Sequence, residues 1–372
     1  MPDGVLVLGG GLAGAACALT LARGGRAVTL IERSTRPHDK VCGEFLSNQA
    51  LGDISALGVD VAPLGAVPLT RARVAARGAA QDSPLPFRAA SLTRRVLDEA
   101  MLSACAAVGV EVRRGVTAQG LEQDGAGWRV RLSDGRLQAG TLVGATGKHD
   151  LRGGRRPNGL HSDLVGLKRY VRAPRGPTTS VDLAFFPGGY AGLQPVEDGR
   201  TNVCLVVSRS RLQALGGPDA VFDHLRAACP HADDLLAGSV LADGPPLAIG
   251  RVPYGYVRGR SDGAYHVGDQ AAVIPSFCGE GMGLALRSGR MAAAAILAGE
   301  APDAYQRRFA RLAAPRVRGA ALLSRGLCQG GVQPAAAALA RTPGLVATLA
   351  ALTRTPEEAG GRGIRTRSRR FG

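Results

Sequence analysis

The stretch "VLVLGGGLAGAACALTLARGGRAVTLIERS" limits the fold more than any other part of the chain. Val5 to Leu8 form a short β-type run, Gly9 to Gly14 a tight turn, Ala15 to Arg23 a small-residue helix, and Ala27 to Ile31 a second strand ending at Glu32. Gly9, Gly11 and Gly14 follow a G-x-G-x-x-G spacing. The first glycine permits the turn, the second admits a pyrophosphate to the backbone, and the third lets helix and strand pack. Glu32 stands 23 positions after Gly9, where a carboxylate accepts the adenosine ribose hydroxyls. Glycines alone also serve as a packing turn. With the strand before, the helix after and the acid at the next strand end, the unit reads as dinucleotide-binding and the domain as parallel α/β.

A second glycine-rich segment lies far from the first. In "VGDQAAVIPSFCGEGMGLALRSGRMAAAAIL", Asp269 ends an apolar run, and Gly279, Gly281 and Gly283 open an alanine-rich helix. Few side chains let backbone amides approach a ligand, and a helix start favours an anion. Between these segments a helix is expected from Ser91 to Ala107, with Leu97, Met101, Leu102 and Cys105 on one face and Ser91 or Thr93 as cap. From "VEVRRG" onward, short strands broken at Asp124-Gly125 and Asp134-Gly135 read as a β-meander, and Leu142 to Gly147 returns to the parallel sheet. Residues 160–256 are strand-rich and suit an antiparallel second layer, and the chain from Pro302 reads as helical.

The chain has 372 residues, 45% of them hydrophobic, enough for a large core. Its net charge of +16 invites a nucleic-acid reading, but aromatics are 4% and the arginines are scattered without a stacking motif or helix-turn-helix, so no nucleic-acid partner is expected. The charge suits nucleotide phosphates or an anionic membrane. The apolar "GLVATLAALTRT" followed by the basic tail suggests a weak peripheral membrane contact, with a solvated tail as the plainer alternative. Seven cysteines without C-x-x-C spacing read as free thiols of a cytoplasmic protein, and the start enters a strand without a leader. The histidines lack metal-ligand spacing, and no G-x-S-x-G elbow occurs.

The opening unit, Arg94 in "TRRVLDEAML", the "GATG" strand end and Gly268-Asp269 stand in an order that resembles FAD-dependent oxidoreductases: group A flavoprotein monooxygenases (aromatic-ring hydroxylases) and geranylgeranyl reductases. "DKVCGEFLS", Asp39 to Ser47, is similar to the Lys-x-Cys-Gly segment of the reductases. The resemblance implies a Rossmann-like FAD-binding domain, a parallel sheet with a β-meander, over residues 1–70, 91–158 and 258–300. It implies an antiparallel-sheet substrate domain over 71–90 and 159–257, then C-terminal helices over 301–360 and a basic tail over 361–372. The implied FAD contacts are Gly9, Gly11, Gly14, Glu32, Arg33, Cys42, Gly43, Arg94, Gly147, Asp269, Gly279, Gly281, Met282 and Gly283.

Two departures stand out. Thr146 occupies the place of the hydroxylases' aspartate before Gly147, leaving Lys148 or Arg152 as candidates for a nicotinamide-cofactor phosphate. "GGYAGLQP" keeps Tyr190 and Pro195 of the reductases' aromatic pattern but has Gly192 and Gln194 instead of the other aromatics. The lone Trp128 argues against the halogenases' double-tryptophan segment. Candidate catalytic groups are Tyr190, Cys42 and Glu44, with His161, Tyr254 and Tyr256 behind them. The leading expectation is a monooxygenase of bacterial secondary metabolism that hydroxylates a lipophilic phenol or polyketide through a flavin C4a-hydroperoxide, using oxygen and, transiently, NAD(P)H. The alternative is a geranylgeranyl-reductase-like enzyme acting on an isoprenoid or quinone double bond.

Overall fold

The computed structural model describes residues 4–125, 127–150, 156–242 and 244–328. A parallel sheet of five strands runs in the spatial order Tyr265–His266, Thr141–Gly144, Val5–Leu8, Val28–Glu32, Glu111–Arg114. Val5–Leu8 is central and buried throughout, which its unbroken apolar sequence requires. The helix Leu12–Arg23 starts directly after the turn, three residues before its expected start. It needs Gly14 inside its first turn, because a Cβ there would lie 2.0 Å from Gly9 O. Glycine costs about 1 kcal/mol against alanine in a helix. Each fully buried leucine of this helix, Leu19 and Leu21 among them, returns roughly 1.5–3 kcal/mol, so packing decides.

The late alanine-rich segment forms the helix Gly281–Leu297, which lies against Leu12–Arg23 at nearly backbone contact. At Gly289 a Cβ would meet Ala13 O at 2.2 Å, which is why small residues fill both helices. The helix Arg94–Ala107 flanks the same core and is capped by Thr93, whose hydroxyl accepts the Val96 N–H. On the other face of the parallel sheet, Leu6, Leu8 and Ile31 pack against Val130 and Leu132 of a separate three-stranded meander, Ala118–Asp124, Gly127–Leu132 and Gly135–Ala139. Glu111–Arg114 does not belong to that meander. It pairs in parallel with Val28–Glu32, and its half-exposed edge position explains a sequence that reads like a surface hairpin.

A nine-stranded sheet, antiparallel except where Ser180–Phe186 runs alongside Val67–Ala76, forms the second layer. Three short helices, Arg209–Leu215, Pro218–Ala228 and Pro230–Leu235, interrupt the region expected to be strand-rich. Their signals were local: Ser208 caps the first, and prolines open the other two. The helix Pro302–Cys328 closes the molecule, with Tyr305 and Phe309 in the main core. Arg152, "GLVATLAALTRT" and the basic tail lie outside the described residues, and with them the expected membrane contact.

Candidate functional site

A cavity of about 970 Å³ runs from the C-terminal ends of the parallel strands to the face of the nine-stranded sheet. That volume lies at the upper end of the ~300–1,000 Å³ usual for ligand sites. Its first wall is the Gly9 turn. Gly9 has φ +114°, and a Cβ there would lie 2.3 Å from Ala145 O, so only glycine fits. Glu32 at the next strand end accepts the Gly10 N–H on Oε2 and the Ser34 N–H on Oε1, both at 2.9 Å. Arg33 donates to His149 Nε2 at 3.0 Å.

Two cations converge on Gly11. A Cβ at that residue would stand 3.5 Å from Arg94 Nη2 and 3.9 Å from Lys40 Nζ, with no closer neighbour. Asp98 holds both: Arg94 donates to it at 2.8 and 3.0 Å, one helical turn along, and Lys40 at 2.6 Å. Burial opposes the Asp98 charge, but Arg94 and Lys40 overcome it and hold the carboxyl below the usual range. One acid for two cations leaves positive charge against an open backbone amide, which fits a pyrophosphate.

The third wall is the late segment. Asp269 Oδ2 lies 3.3 Å from Lys148 Nζ, and the Gly268 N–H donates to Ser288 Oγ at 2.7 Å. Gly279, Gly281 and Met282 line the cavity, and no side chain caps the start of the Gly281–Leu297 helix. Its first amides are therefore suited to an anionic ring edge.

The loop from Lys40 to Glu44 forms the fourth wall and is held from the antiparallel sheet. Lys168 Nζ meets Glu44 Oε1 at 2.6 Å, and neither side chain touches solvent. Asn202 Nδ2 donates to the carbonyls of Cys42 and Gly43, each at 3.1 Å, and to Glu44 Oε2 at 3.0 Å. The Tyr170 hydroxyl donates to the same carboxylate at 2.8 Å, and the Arg94 N–H does so at 2.8 Å. Glu44 itself has φ +61°. Burial pushes its carboxyl up while Lys168 chiefly pulls it back. The acid is engaged on every side, which suits anchoring better than proton exchange.

At the substrate end the cavity is lined by Gly166, Cys204, Leu205, Val206, Ile249, Val252, Tyr254 and Ser276. The cavity thus brings together Gly9, Gly11, Glu32, Arg33, Cys42, Gly43, Glu44, Arg94, Gly147, Asp269, Gly279, Gly281 and Met282. Gly14 acts behind it in packing, and Gly283 lines a neighbouring groove beside Arg287. Tyr190 reaches the cavity only through Ser276, 3.0 Å from its hydroxyl. His161 bonds Ser324, Tyr256 packs under Arg156, and neither lines the cavity. Sequence reasoning missed Lys40, Asp98, Lys168, Asn202 and Ser276. Among the described residues no cluster of metal ligands occurs, and no helix is long and apolar enough to cross a membrane.

Comparison with known proteins agrees with this geometry. A family model for an FAD binding domain matches residues 4–153. The menaquinone reductase of Mycolicibacterium smegmatis is 26% identical over 323 residues, 80% of this chain and 77% of that one. Digeranylgeranylglycerophospholipid reductase 2 of Methanopyrus kandleri is 27% identical over 315 residues, 77% of this chain and 75% of that one. The flavin-dependent brominase Bmp2 shares the fold, with a TM-score of 0.79 at 18% identity over 94% of this chain and 93% of its own. The chain is an FAD-dependent oxidoreductase. The family model covers residues 4–153, the chain is similar in sequence to the two reductases and in fold to the brominase, and FAD is its cofactor.

Proposed function

We propose that this flavoenzyme reduces an electron-poor double bond of a lipophilic quinone or isoprenoid, in preference to hydroxylating a phenol. One observation carries the choice: among the described residues that line the substrate end of the cavity, from Gly166 and Cys204 to Tyr254 and Ser276, none is a carboxylate or a histidine that could take a phenol's proton. Burial raises Tyr254 and pushes the Cys204 thiol up to about 12, so neither accepts that proton. Asp269 keeps Lys148 charged above its ordinary range. A hydride acceptor can take its proton from water and needs no such base. A phenol arrives with a proton to lose, and hydroxylation favours the phenolate. Burial and positive neighbours do keep His38 and His149 neutral, but they stand with Lys40 and Arg33 at the ribose end.

The reading places Gly9, Gly11, Glu32, Arg94, Lys40 and Asp269 around FAD, which supplies hydride when reduced. The chain's own residues exclude water, hold the ring and donate hydrogen bonds. NAD(P)H serves as a transient reductant, since the sequence carries no second complete G-x-G-x-x-G unit. The names of the two reductase relatives support a reductive reaction on a lipophilic molecule. Hydroxylation of a lipophilic phenol is the second reading, favoured by the apolar wall of Leu205, Val206 and Ile249, which suits a phenolic ring equally. Oxygen uptake during NAD(P)H oxidation separates them. Turnover of a quinone or isoprenoid panel with no oxygen consumed per product supports reduction, and stoichiometric oxygen uptake with a phenol overturns it.

A further inference from the structure

Beyond the strand Leu164–Arg172 the nine-stranded sheet ends in a broken edge. Val240 and Leu241 stand opposite Arg172 and Val171, and Leu247 to Gly250 stand opposite Lys168 to Val165. Pro245 and Pro246 fall in the break, where neither has an N–H to give to a ladder. The edge is apolar and open to solvent. Val240 and Leu241 are each 61% exposed and Leu247 is 37% exposed, so three of the seven exposed large aliphatics among the described residues fall within eight positions. Single exposed leucines are ordinary on a protein surface, whereas a contiguous apolar patch marks contact with a partner or a membrane.

The inner side of this edge is the cavity itself. Leu247, Ala248 and Ile249 line the cavity, and Leu247 and Ala248 are exposed as well, so they form part of its rim. Residues opposite one another in paired strands share a face. Val240, Leu247 and Ile249, opposite Arg172, Lys168 and Gly166, therefore lie on the face from which Lys168 reaches Glu44. Leu241 takes the other face, and the apolar surface wraps around the edge.

The neighbouring charge is basic. Arg172, Arg175 and Arg251 are exposed at the two ends of the edge. Arg172 spends one N–H on the Asp198 carbonyl, and Arg175 pairs only at the surface with Asp234, 3.2 Å away, where an ion pair holds little energy. A second protein strand finds pieces of only two and four residues to pair with. An apolar rim flanked by arginines, on a chain of net charge +16, fits an anionic bilayer: phosphates meet the guanidinium groups while the aliphatic side chains enter the acyl boundary.

We propose that the edge from Val240 to Leu247 docks on an anionic lipid bilayer, and that the substrate enters the cavity from the membrane past Leu247 and Ala248. The entry route rests on the lipophilic substrate proposed above; the docking surface does not. A molecule with a long hydrocarbon tail leaves a membrane reluctantly, because every methylene exposed to water opposes the transfer. A mouth held against the bilayer removes that step.

The test sediments the full-length holoenzyme with vesicles of phosphatidylglycerol and phosphatidylcholine and reads the bound flavin in each fraction. Wild type should pellet with these vesicles, and less with phosphatidylcholine alone. Val240→Ser with Leu241→Ser should weaken binding by roughly tenfold or more. Its flavin content and melting temperature should match wild type, since both side chains already face water. Leu241→Trp should gain an emission shift with vesicles that wild type lacks. Equal vesicle binding by wild type and the double serine variant overturns the proposal. A wild-type dimer in lipid-free buffer that the same variant splits also overturns it, because a second copy would then cover the edge.

Turnover separates entry from docking. With a long-tailed quinone in the vesicles, the double serine variant should be about tenfold slower than wild type, while both should reduce a short-chain quinone in solution equally. Equal rates with the long-tailed quinone, or equal slowing with both, overturn the entry route. Vesicle binding that the variant loses, with neither quinone reduced by wild type, upholds the docking surface and removes the reductive reading.

Discussion

Glu44 and Lys168 meet at 2.6 Å with both side chains shielded from water, and the pair ties the antiparallel sheet to the loop that flanks the flavin cavity. A buried ion pair is seldom a large net source of stability, because desolvation offsets much of the attraction. Its value here is positional. Asn202 and Tyr170 share the same carboxylate, so the backbone of Cys42 and Gly43 has little freedom to move away from the cavity.

Breaking that pair from one side is therefore expected to be costly. Lys168→Met strands the Glu44 carboxylate and should destabilise the fold by about 3–5 kcal/mol in chemical denaturation. The double variant Glu44→Gln with Lys168→Met should lose clearly less than the sum of the single losses, because no charge is left unpaired. Additive losses would mean that the two side chains act independently.

Arg94 is expected to hold FAD by charge. Arg94→Met removes a charged donor beside Gly11, worth about 1.5–3 kcal/mol, or roughly 10–150-fold in FAD affinity measured by flavin fluorescence. The wild-type affinity should fall with added salt more steeply than that of the variant. Unchanged affinity would remove Arg94 from the cofactor site.

Asp98 sets an acid limit. Its folded pKa lies below that of an unfolded aspartate, near 3.9, so its contribution is fully present above that value and is lost as pH falls through the lower folded value. Asp98→Asn should flatten the loss of thermal stability in that acid window and leave the slope near neutrality unchanged. An acid limb equally steep in both proteins would show that other carboxylates govern it.

Glycines divide by what a Cβ would meet. Gly14→Ala is expected to abolish FAD retention, because the added carbon would lie 2.0 Å from Gly9 O. Gly52→Ala has nothing within 4 Å and lies inside the helix Asn48–Ala56, so it should stabilise by about 0.5–1 kcal/mol. Thermal melts and the absorbance of bound flavin report both.

The cofactor half was legible because its chemistry is written in short spacings. The turn from Gly9 to Gly14, the acid at Glu32 and the Gly281 helix start each need only neighbouring residues to be recognised. Arg94 and Asp98 also sit at helical spacing, but nothing local shows that Lys40 joins them from 58 positions away. Lys168 and Asn202 were hidden for a similar reason. A lysine or asparagine in an alternating strand reads as a surface residue, and only the tertiary approach of the Glu44 loop turns it inward. The three helices between Arg209 and Leu235 were overlooked because the surrounding strands dominated the composition, although Ser208 marked the start of the first and Pro218 and Pro230 those of the other two.

A single anaerobic turnover tests the central claim most directly. The holoenzyme is reduced, mixed without oxygen with a lipophilic quinone or enone, quenched, and the product weighed by mass spectrometry. The expected product has gained two hydrogens and forms at the same rate as flavin is reoxidised. A substrate returned unchanged, with product appearing only after air is admitted and carrying a new oxygen atom, would contradict the reductive account.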